Sequence, residues 1–152
     1  MLDLQAVDTR LDQLAHQEAT LPQTAQLAEL TDRLAELNTD VVNASTELSD
    51  LSQDVRKAED EVEQVRKRTT RDQELLDSGS ITSGKQLEEI QHEITSLLRR
   101  ASELEDAQLE VMERAEGAQA RVDELSLQIG EVQQEHAKVS ASLEVAVTVI
   151  RA

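Results

Sequence analysis

The chain contains no cysteine and no aromatic residue, and its 152 residues include one proline and four glycines. The absence of Cys excludes disulfides, thiol catalysis and thiolate ligands for zinc. The absence of Phe, Tyr and Trp, with so few turn-forming residues, is not typical of a compact globular core. The longest mostly apolar run, residues 143–150, is too short to span a bilayer, and residues 1–5 lack the pattern of a signal peptide. We therefore expect a cytoplasmic protein that does not contact membranes.

The sequence does contain two long series of apolar residues that recur alternately three and four positions apart. An average spacing of 3.5 residues is typical of the contact face, or seam, of a coiled coil. The upstream seam comprises Leu27, Leu30, Leu34, Leu37, Val41, Ala44, Leu48, Leu51, Val55, Ala58, Val62, Val65 and Thr69. The downstream seam comprises Leu87, Ile90, Ile94, Leu97, Ala101, Leu104, Gln108, Val111, Ala115, Ala118, Val122, Leu125, Ile129, Val132, His136, Val139, Leu143, Ala146 and Ile150.

The small, turn-forming residues of the chain cluster between the two seams, at residues 77–84. A turn there predicts that the two helices fold back on each other. We predict a short helix over about residues 3–19, an outgoing helix over about 21–76, a tip turn over 77–83 and a return helix over 84–151. The whole chain is then a single elongated all-α domain. It is a long antiparallel two-helix coiled-coil hairpin, with its short N-terminal helix kinked at Pro22 and docked on the end of the return helix.

Residues that favour helix ends support these boundaries. Thr20 with Gln23 has the spacing of a capping box before the outgoing helix, and Ser83 with Gln86 has it before the return helix. Gly79 is the residue best suited to the left-handed backbone conformation that ends many helices. The sequence therefore predicts a break near residue 20 and a turn near residue 79.

The position of the turn predicts which residues face each other. If the turn centres near residue 79, residue i faces residue 158 minus i, so Leu51 lies near Ala107 and Leu27 near Glu131. The return helix then outruns the outgoing helix from about His136. We expect the N-terminal helix to cover that extra length with a seam of its own, formed by Leu4, Val7, Leu11, Leu14, Glu18 and Leu21.

The charge of the chain is strongly negative and unevenly distributed. The formal net charge is −17, with −9 in residues 1–55, −7 in residues 101–152 and −1 in residues 56–100. Phosphate backbones and anionic membranes attract basic surfaces, so the total charge argues against a general affinity for either. The middle segment, which forms the turn end of the predicted hairpin, contains nine of the fifteen basic residues.

Four of those bases form a cluster, Arg66, Lys67, Arg68 and Arg71. They are either ordinary flanking charges of a coiled coil or a surface that grips an acidic partner or nucleic acid. The lack of aromatic residues weakens the nucleic-acid interpretation, because proteins that bind single strands usually stack bases on aromatic rings.

The predicted tip is the second candidate for partner binding, through Ser78, Gly79, Ser80, Ile81, Thr82 and Lys85. Ile81 is an apolar residue with little core beneath it. It either folds over Leu76 or Leu87, or it is exposed and marks a contact point.

Two polar residues interrupt the downstream seam, Gln108 and His136. We interpret both as polar layers that disfavour slipped pairings, because no second ligand shares the face of His136 at metal-binding spacing. His16 and His92 fall outside the seams. The sequence contains no glycine-rich phosphate loop and no nucleophile motif, and a two-helix hairpin has no cavity for a catalytic acid pair. We therefore expect a non-enzymatic protein that holds no cofactor or metal.

The tip sequence LLDSGSITSGKQLEEIQHEI at residues 75–94, with LDLQAVD at 2–8 and LED at 104–106, resembles a known family. This is the bacterial C4-type zinc-ribbon family, whose N-terminal half is a coiled-coil hairpin. The resemblance covers the whole chain and implies that residues 78–85 form the hairpin tip. Gly84 stands where proline is common in that family.

The same resemblance implies a C-terminal ribbon with two Cys-x-x-Cys pairs that bind zinc. This chain ends at Ala152 while Ile150 still occupies a seam position, so we expect a shortened chain or an incomplete domain, and no residue here inherits a zinc ligand. Better-studied relatives act as adapters or chaperone-like partners in flagellar and type III secretion systems. They bind an alternative sigma factor, secretion components or messenger RNA.

Three hypotheses for function follow. The first is a non-enzymatic adapter or chaperone-like scaffold whose tip binds a protein partner. The second is a nucleic-acid-associated protein in which the hairpin is a spacer, although we do not expect nucleic acid to bind the hairpin itself. The third is a purely structural spacer. The hairpin is expected to be a monomer or a weak homodimer.

Overall fold

A computed structural model describes residues 2–152, with side chains from residue 3 onward. It contains three α-helices: α1 (Leu2–Ala19), α2 (Pro22–Asp77) and α3 (Gly84–Arg151). The described residues include no β-strand, and α2 packs against α3. This confirms the predicted all-α coiled-coil hairpin. In the described part of the chain, no helix combines the length and the apolar character that crossing a membrane requires.

The seam between α2 and α3 is the core of the molecule. Every residue that the three-four spacing assigned to the two seams is buried or half-buried. The most deeply buried side chains are Leu37 and Leu125, each 1% exposed. The spacing predicts burial this well because a 3.5-residue repeat keeps the same stripe of both helices facing the partner along their length. The buried apolar residues are Leu37, Ala44, Leu51, Val62, Ile94, Ala101, Leu104, Ala118, Leu125 and Val139.

The chain divides into two compact units, and the one that contains the turn is Ala44–Arg121. Two ion pairs join α2 to α3 within it. Both nitrogens Nε and Nη2 of Arg66 donate to Glu105 Oε1, at 3.2 and 2.6 Å, and Arg68 Nη2 donates to Glu93. The predicted register was wrong here, since it placed residue 90, and not Glu93, opposite Arg68. The six-residue loop 78–83 centres later than residue 79, which shifts the facing positions on α3 towards its C-terminus.

The other unit comprises Met1–Asn43 and Val122–Ala152. In its part of the hairpin, Thr31 Oγ1 lies 3.4 Å from Nε2 of His136. Gln23 Nε2 donates to Ser142 Oγ at 3.3 Å, close to the start of α2. The antiparallel pairing of α2 with α3 therefore extends through this unit to the first turn of α2. The predicted register was wrong here as well, because it set His136 opposite residue 22 rather than beside Thr31.

Helix α1 docks on the end of α3 through one ion pair. Nε and Nη2 of Arg151 donate to the two carboxylate oxygens of Glu18, at 2.7 and 3.2 Å. The hydrogen bond to Glu18, and secondarily the negative charge of that carboxylate, raises the pKa of Arg151. The pairing therefore involves the C-terminal part of α1, where Leu14 is half-buried.

Helix α1 ends and α2 begins near residue 20, as predicted, but the hydrogen bonds at this break differ from the predicted capping box. Thr20 was expected to cap α2, but its hydroxyl donates backwards, to His16 O at 2.9 Å and Gln17 O at 3.3 Å. The carbonyl of Leu21 instead accepts the first bond of α2, from the Thr24 amide at 3.0 Å. Thr20 thus ends α1, and Pro22 occupies the first position of α2, where its missing N–H has no role.

Candidate protein-binding site at the helical turn

The loop between α2 and α3 is held by local hydrogen bonds. Gly79 has a φ of 69°, the left-handed conformation predicted for it. The hydroxyl of Ser78 donates to Leu75 O at 2.7 Å, lies 2.8 Å from Ser80 Oγ and accepts from the Ser80 amide at 3.3 Å. The Ser83 carbonyl accepts from the Leu87 amide at 3.0 Å, which opens α3. These contacts restrict the loop conformation at both of its ends.

The loop presents one apolar side chain among exposed polar ones. Ile81 is half-buried, whereas Ser78, Ser80 and Thr82 are exposed. Lys85, in the first turn of α3, is also exposed. The turn therefore offers a partner one partly accessible apolar group, several hydroxyls and one positive charge.

Most of the predicted basic cluster is paired within the hairpin. Arg66 and Arg68 reach across to α3, as described above, and Lys67 Nζ lies 2.9 Å from Glu63 on its own helix. In the described part of the chain, Arg71 has no ion pair. The structure thus assigns Arg66 and Arg68 a role in joining the helices, and it leaves Arg71 as the freest cation of the cluster.

Arg71 lies beside a surface groove of about 560 Å³. Its walls are formed by Gln64, Lys67, Arg68, Arg71, Asp72 and Glu93. Asp72 lies three residues after Thr69, the last residue of the upstream seam, and its Oδ2 atom is buried without a hydrogen-bond partner. The groove therefore combines cations and carboxylates. Such a mixed lining favours contact with polar protein surfaces over binding of a phosphate chain.

The polar residues of the seam lie where the spacing placed them. Gln108 and His136 are half-buried, and His136 faces Thr31 across the helices. His16 and His92 are exposed. Among residues 2–152, no group of three or more His, Asp or Glu side chains is arranged to hold a metal ion.

Sequence reasoning missed the two ion pairs that cross from α2 to α3. Arg66 and Glu105 each follow a seam residue directly, and Arg68 and Glu93 each precede one. Side chains at such flanking positions reach across an antiparallel seam, so the signal was present in the sequence. The wrong register concealed it, because it set Arg68 opposite residue 90 and not Glu93.

The comparisons with known proteins identify one family model and several mycobacterial relatives. Residues 4–152 match the family model described as "CT398-like coiled coil hairpin domain". The uncharacterised protein Rv2229c of Mycobacterium tuberculosis is 40% identical over 121 residues, which cover 80% of this chain and 49% of that protein. The uncharacterised protein ML1638 of Mycobacterium leprae is 32% identical over 127 residues, which cover 84% and 53%.

A solved structure of a protein from Mycobacterium smegmatis is also similar. It superposes with a TM-score of 0.79 at 34% sequence identity, over 98% of this chain and 61% of the other. The chain spans about half the length of the curated relatives it matches.

Proposed function

This chain belongs to the CT398-like coiled coil hairpin domain family, and from that premise we propose that it is a non-enzymatic, cytoplasmic adapter whose helical turn binds another protein. The observation that carries this proposal is the single apolar side chain, Ile81, on a loop held by hydrogen bonds at both ends. A loop that is already ordered loses little conformational entropy when a partner docks.

The proposed site comprises Ile81 as the apolar contact, the hydroxyls of Ser78, Ser80 and Thr82, and the charge of Lys85. Gly79 acts by setting the loop conformation. Lys67 and Arg71 extend the site along α2 as polar contacts. Arg66 and Arg68 support it indirectly, because their pairs with α3 hold together the helices that carry the loop.

Binding of nucleic acid is the alternative, and the basic cluster is the feature that would support it. Affinity for phosphate depends on the number of cations that neutralise it. Since Arg66, Lys67 and Arg68 each have a carboxylate partner, fewer charges remain for phosphate than the sequence suggested. The structure therefore favours a protein partner over nucleic acid.

The sequence resemblance implies a zinc ribbon. We include that ribbon in this proposal only for a longer protein that contains this hairpin. The chain has no Cys, and its described residues include no grouping of metal ligands, so they do not fit zinc. We propose that the additional length of the relatives contains the ribbon and a second contact surface.

The test is affinity capture from a native bacterial lysate, with the wild-type chain compared with the double variant Ile81→Ala/Lys85→Glu. The matched control is Leu109→Ala/Lys57→Glu, which likewise shortens one large aliphatic side chain and reverses one lysine charge, at exposed positions of α3 and α2 away from the loop. Circular dichroism establishes that all three proteins are equally helical.

We expect a protein that the wild type and the control retain and that the tip variant loses. Its capture should change little between about 0.1 M and 0.5 M salt, because the contact is partly apolar. Captured nucleic acid that is released steeply over that salt range supports the alternative. If all three chains capture the same material, or none, the turn is not a binding site and the spacer interpretation stands.

A further inference from the structure

One side of the hairpin in the unit Ala44–Arg121 is bordered by two rows of residues that repeat every seven positions. The rows are Ser52, Glu59 and Arg66 on α2 and Leu98, Glu105 and Met112 on α3. Residues seven apart lie on the same side of a helix in a coiled coil, because the seam repeats every 3.5 residues. Since Arg66 donates to Glu105, both rows flank the same side of the seam. We call the surface that these six residues border the Met112 face.

The seam is incompletely covered near the middle of the Met112 face. A groove of about 330 Å³ opens there, and its walls include Val55 of α2 and Met112 and Ala115 of α3. Although Val55 and Ala115 are seam residues, both are only half-buried, as is Met112. One turn before Met112 on the same helix, Leu109 is 58% exposed. The Met112 face therefore presents neighbouring apolar groups to solvent, and such groups are typical of an interaction surface.

The large apolar groups and an unpaired pair of opposite charges lie on different helices of this face. Leu109 and Met112 belong to α3, whereas Arg56 and Glu59, in the other wall of the groove, belong to α2. In the described part of the chain, neither Arg56 nor Glu59 has an ion pair. Both charges are therefore available to a partner that presents the opposite charge at the same spacing.

We propose that the Met112 face binds the same face of a second copy of the chain, with the two-fold axis running across the helices. This symmetry places α3 against α3 and α2 against α2, with each pair antiparallel. Leu109 of each copy then packs on Met112 of the other, and Arg56 of each copy meets Glu59 of the other. The four helices form a local antiparallel bundle that covers both grooves.

The apolar and charged contacts lie at one level of the hairpin, as a single axis requires. Residues that pair across this unit have numbers that sum to between 161, for residues 68 and 93, and 171, for residues 66 and 105. The midpoint of Arg56 and Glu59 is 57.5 and the midpoint of Leu109 and Met112 is 110.5, and these sum to 168. One axis therefore passes close to both midpoints.

The distribution of the groups selects this orientation. A two-fold axis along the helices would place α3 on α2 of the second copy, so Leu109 and Met112 would cover Arg56 and Glu59. Burying those charges without a partner is costly. The axis across the helices instead brings apolar groups to apolar groups and gives two opposite-charge contacts.

Glu116 is the other acidic residue that lines the groove. In the proposed pairing, it comes beside Glu105 of the second copy. Glu105 already accepts hydrogen bonds from Arg66, so the guanidinium of Arg66 offsets the two carboxylates. This contact therefore does not oppose the pairing.

The size of the Met112 face predicts a weak dimer. From Leu98 to Glu116 the face is about 27 Å long at 1.5 Å per residue, and two adjacent helices are about 20 Å wide. The two copies together therefore bury about 1,100 Å², slightly less than the roughly 1,200 Å² at the lower end of stable specific interfaces. The dimer does not rest on the function proposed for the turn, which lies outside this face, so loss of the dimer and loss of capture at the turn are separate outcomes.

Sedimentation equilibrium of the full chain tests the proposal, over protein concentrations from about 10 µM to about 1 mM. Salt at about 0.15 M screens the repulsion between the two acidic chains beyond about 8 Å. We expect the mean mass to rise with concentration from 16.9 kDa towards twice that value. Leu109→Glu should abolish the rise, because it places a carboxylate against Met112 at both contacts. The control Leu127→Glu, at a leucine of α3 that is 60% exposed and lies outside the face, should leave the rise unchanged.

A charge exchange tests the orientation. Arg56→Glu alone and Glu59→Arg alone each replace both attractive contacts by repulsive ones, and each should weaken association about tenfold or more. An equimolar mixture of the two variants restores both attractive contacts, so the mixture should dimerise as the wild type does. The matched controls are Lys57→Glu and Asp60→Arg, which change the net charge equally at the next exposed positions of α2, about 100° around the helix.

Circular dichroism separates loss of pairing from loss of folding in every variant. A constant mass of 16.9 kDa for the wild type at all concentrations would overturn the proposal. So would a mixture of Arg56→Glu and Glu59→Arg that associates no better than either variant alone, because the charges would then not meet across the interface.

Discussion

Replacing Leu125 by Ala tests whether the seam carries the stability of this chain. Leu125 is 1% exposed, whereas Leu127, two residues later on the same helix, is 60% exposed. The same substitution at both positions removes the same atoms and changes helix propensity equally. The difference in stability between the two variants therefore isolates the contribution of burial in the seam.

The expected magnitude follows from the atoms removed. Leu to Ala deletes three carbon atoms, which at about 0.8 kcal/mol for each buried CH₂ gives about 2.4 kcal/mol. The cavity that remains adds to this loss, so we expect about 3 kcal/mol for Leu125→Ala. Leu127→Ala should change stability by less than about 0.5 kcal/mol.

Urea and thermal unfolding followed by circular dichroism at 222 nm measure both variants. For a chain of this length, 3 kcal/mol corresponds to a fall in Tm of about 6–12 °C. A loss for Leu125→Ala no larger than that for Leu127→Ala would refute the assignment of the seam as the core. Leu37→Ala, at the other 1% exposed residue, should repeat the large effect.

Three further predictions concern the turn, the ion pairs and the polar layer. Gly84→Pro should raise stability by about 0.5–1 kcal/mol, because Gly84 is the first residue of α3 and a Cβ added there meets no atom within 4 Å. Gly79→Ala should lower stability by about 1–2 kcal/mol, because the φ of Gly79 is 69°. Urea unfolding measures both changes. A double-mutant cycle of Arg66→Ala and Glu105→Ala should give a coupling of about 0.5–1 kcal/mol that falls with added salt, since both side chains are largely exposed. His136→Leu should raise the Tm and also permit alternative pairings, visible as broadened NMR amide signals, and a single sharp set of signals would contradict its role in register.

The sequence predicted the seam well because burial there depends on periodicity alone. A residue such as Leu37 faces the partner helix whatever the exact register, since the 3.5-residue repeat holds along both helices. The left-handed backbone conformation of Gly79 was predicted for a similar reason, because the local preference for glycine in that conformation at the end of a helix is sufficient to predict it. Register depends on loop geometry, and the residue facing Arg68 moved from the expected position 90 to Glu93.

The coverage of α1 was the other point that local rules could not decide. The spacing of Leu4, Val7 and Leu11 predicted a seam that covers the return helix, but the three side chains are exposed and α2 lies beside α3 at His136 instead. Glu18, a charged residue on that seam, was the available signal that the packing there is not purely apolar. Its partner is Arg151 of α3.

The pairing of the basic cluster decides how its candidate functions are ranked. If Arg66, Lys67, Arg68 and Arg71 all met phosphate, affinity would fall steeply with salt, since each contact adds nearly one to the slope. Two of these cations join the helices and a third has a neighbouring carboxylate, so phosphate binding would have to break those pairs first. If only the two unpaired cations of the proposed site, Arg71 and Lys85, met phosphate, a fourfold rise in salt would weaken that contact only about tenfold. The electrostatic contribution of such a phosphate contact is too weak to offset a net charge of −17. A protein partner can instead contact the apolar and hydroxyl groups of the turn, whose contribution salt does not screen.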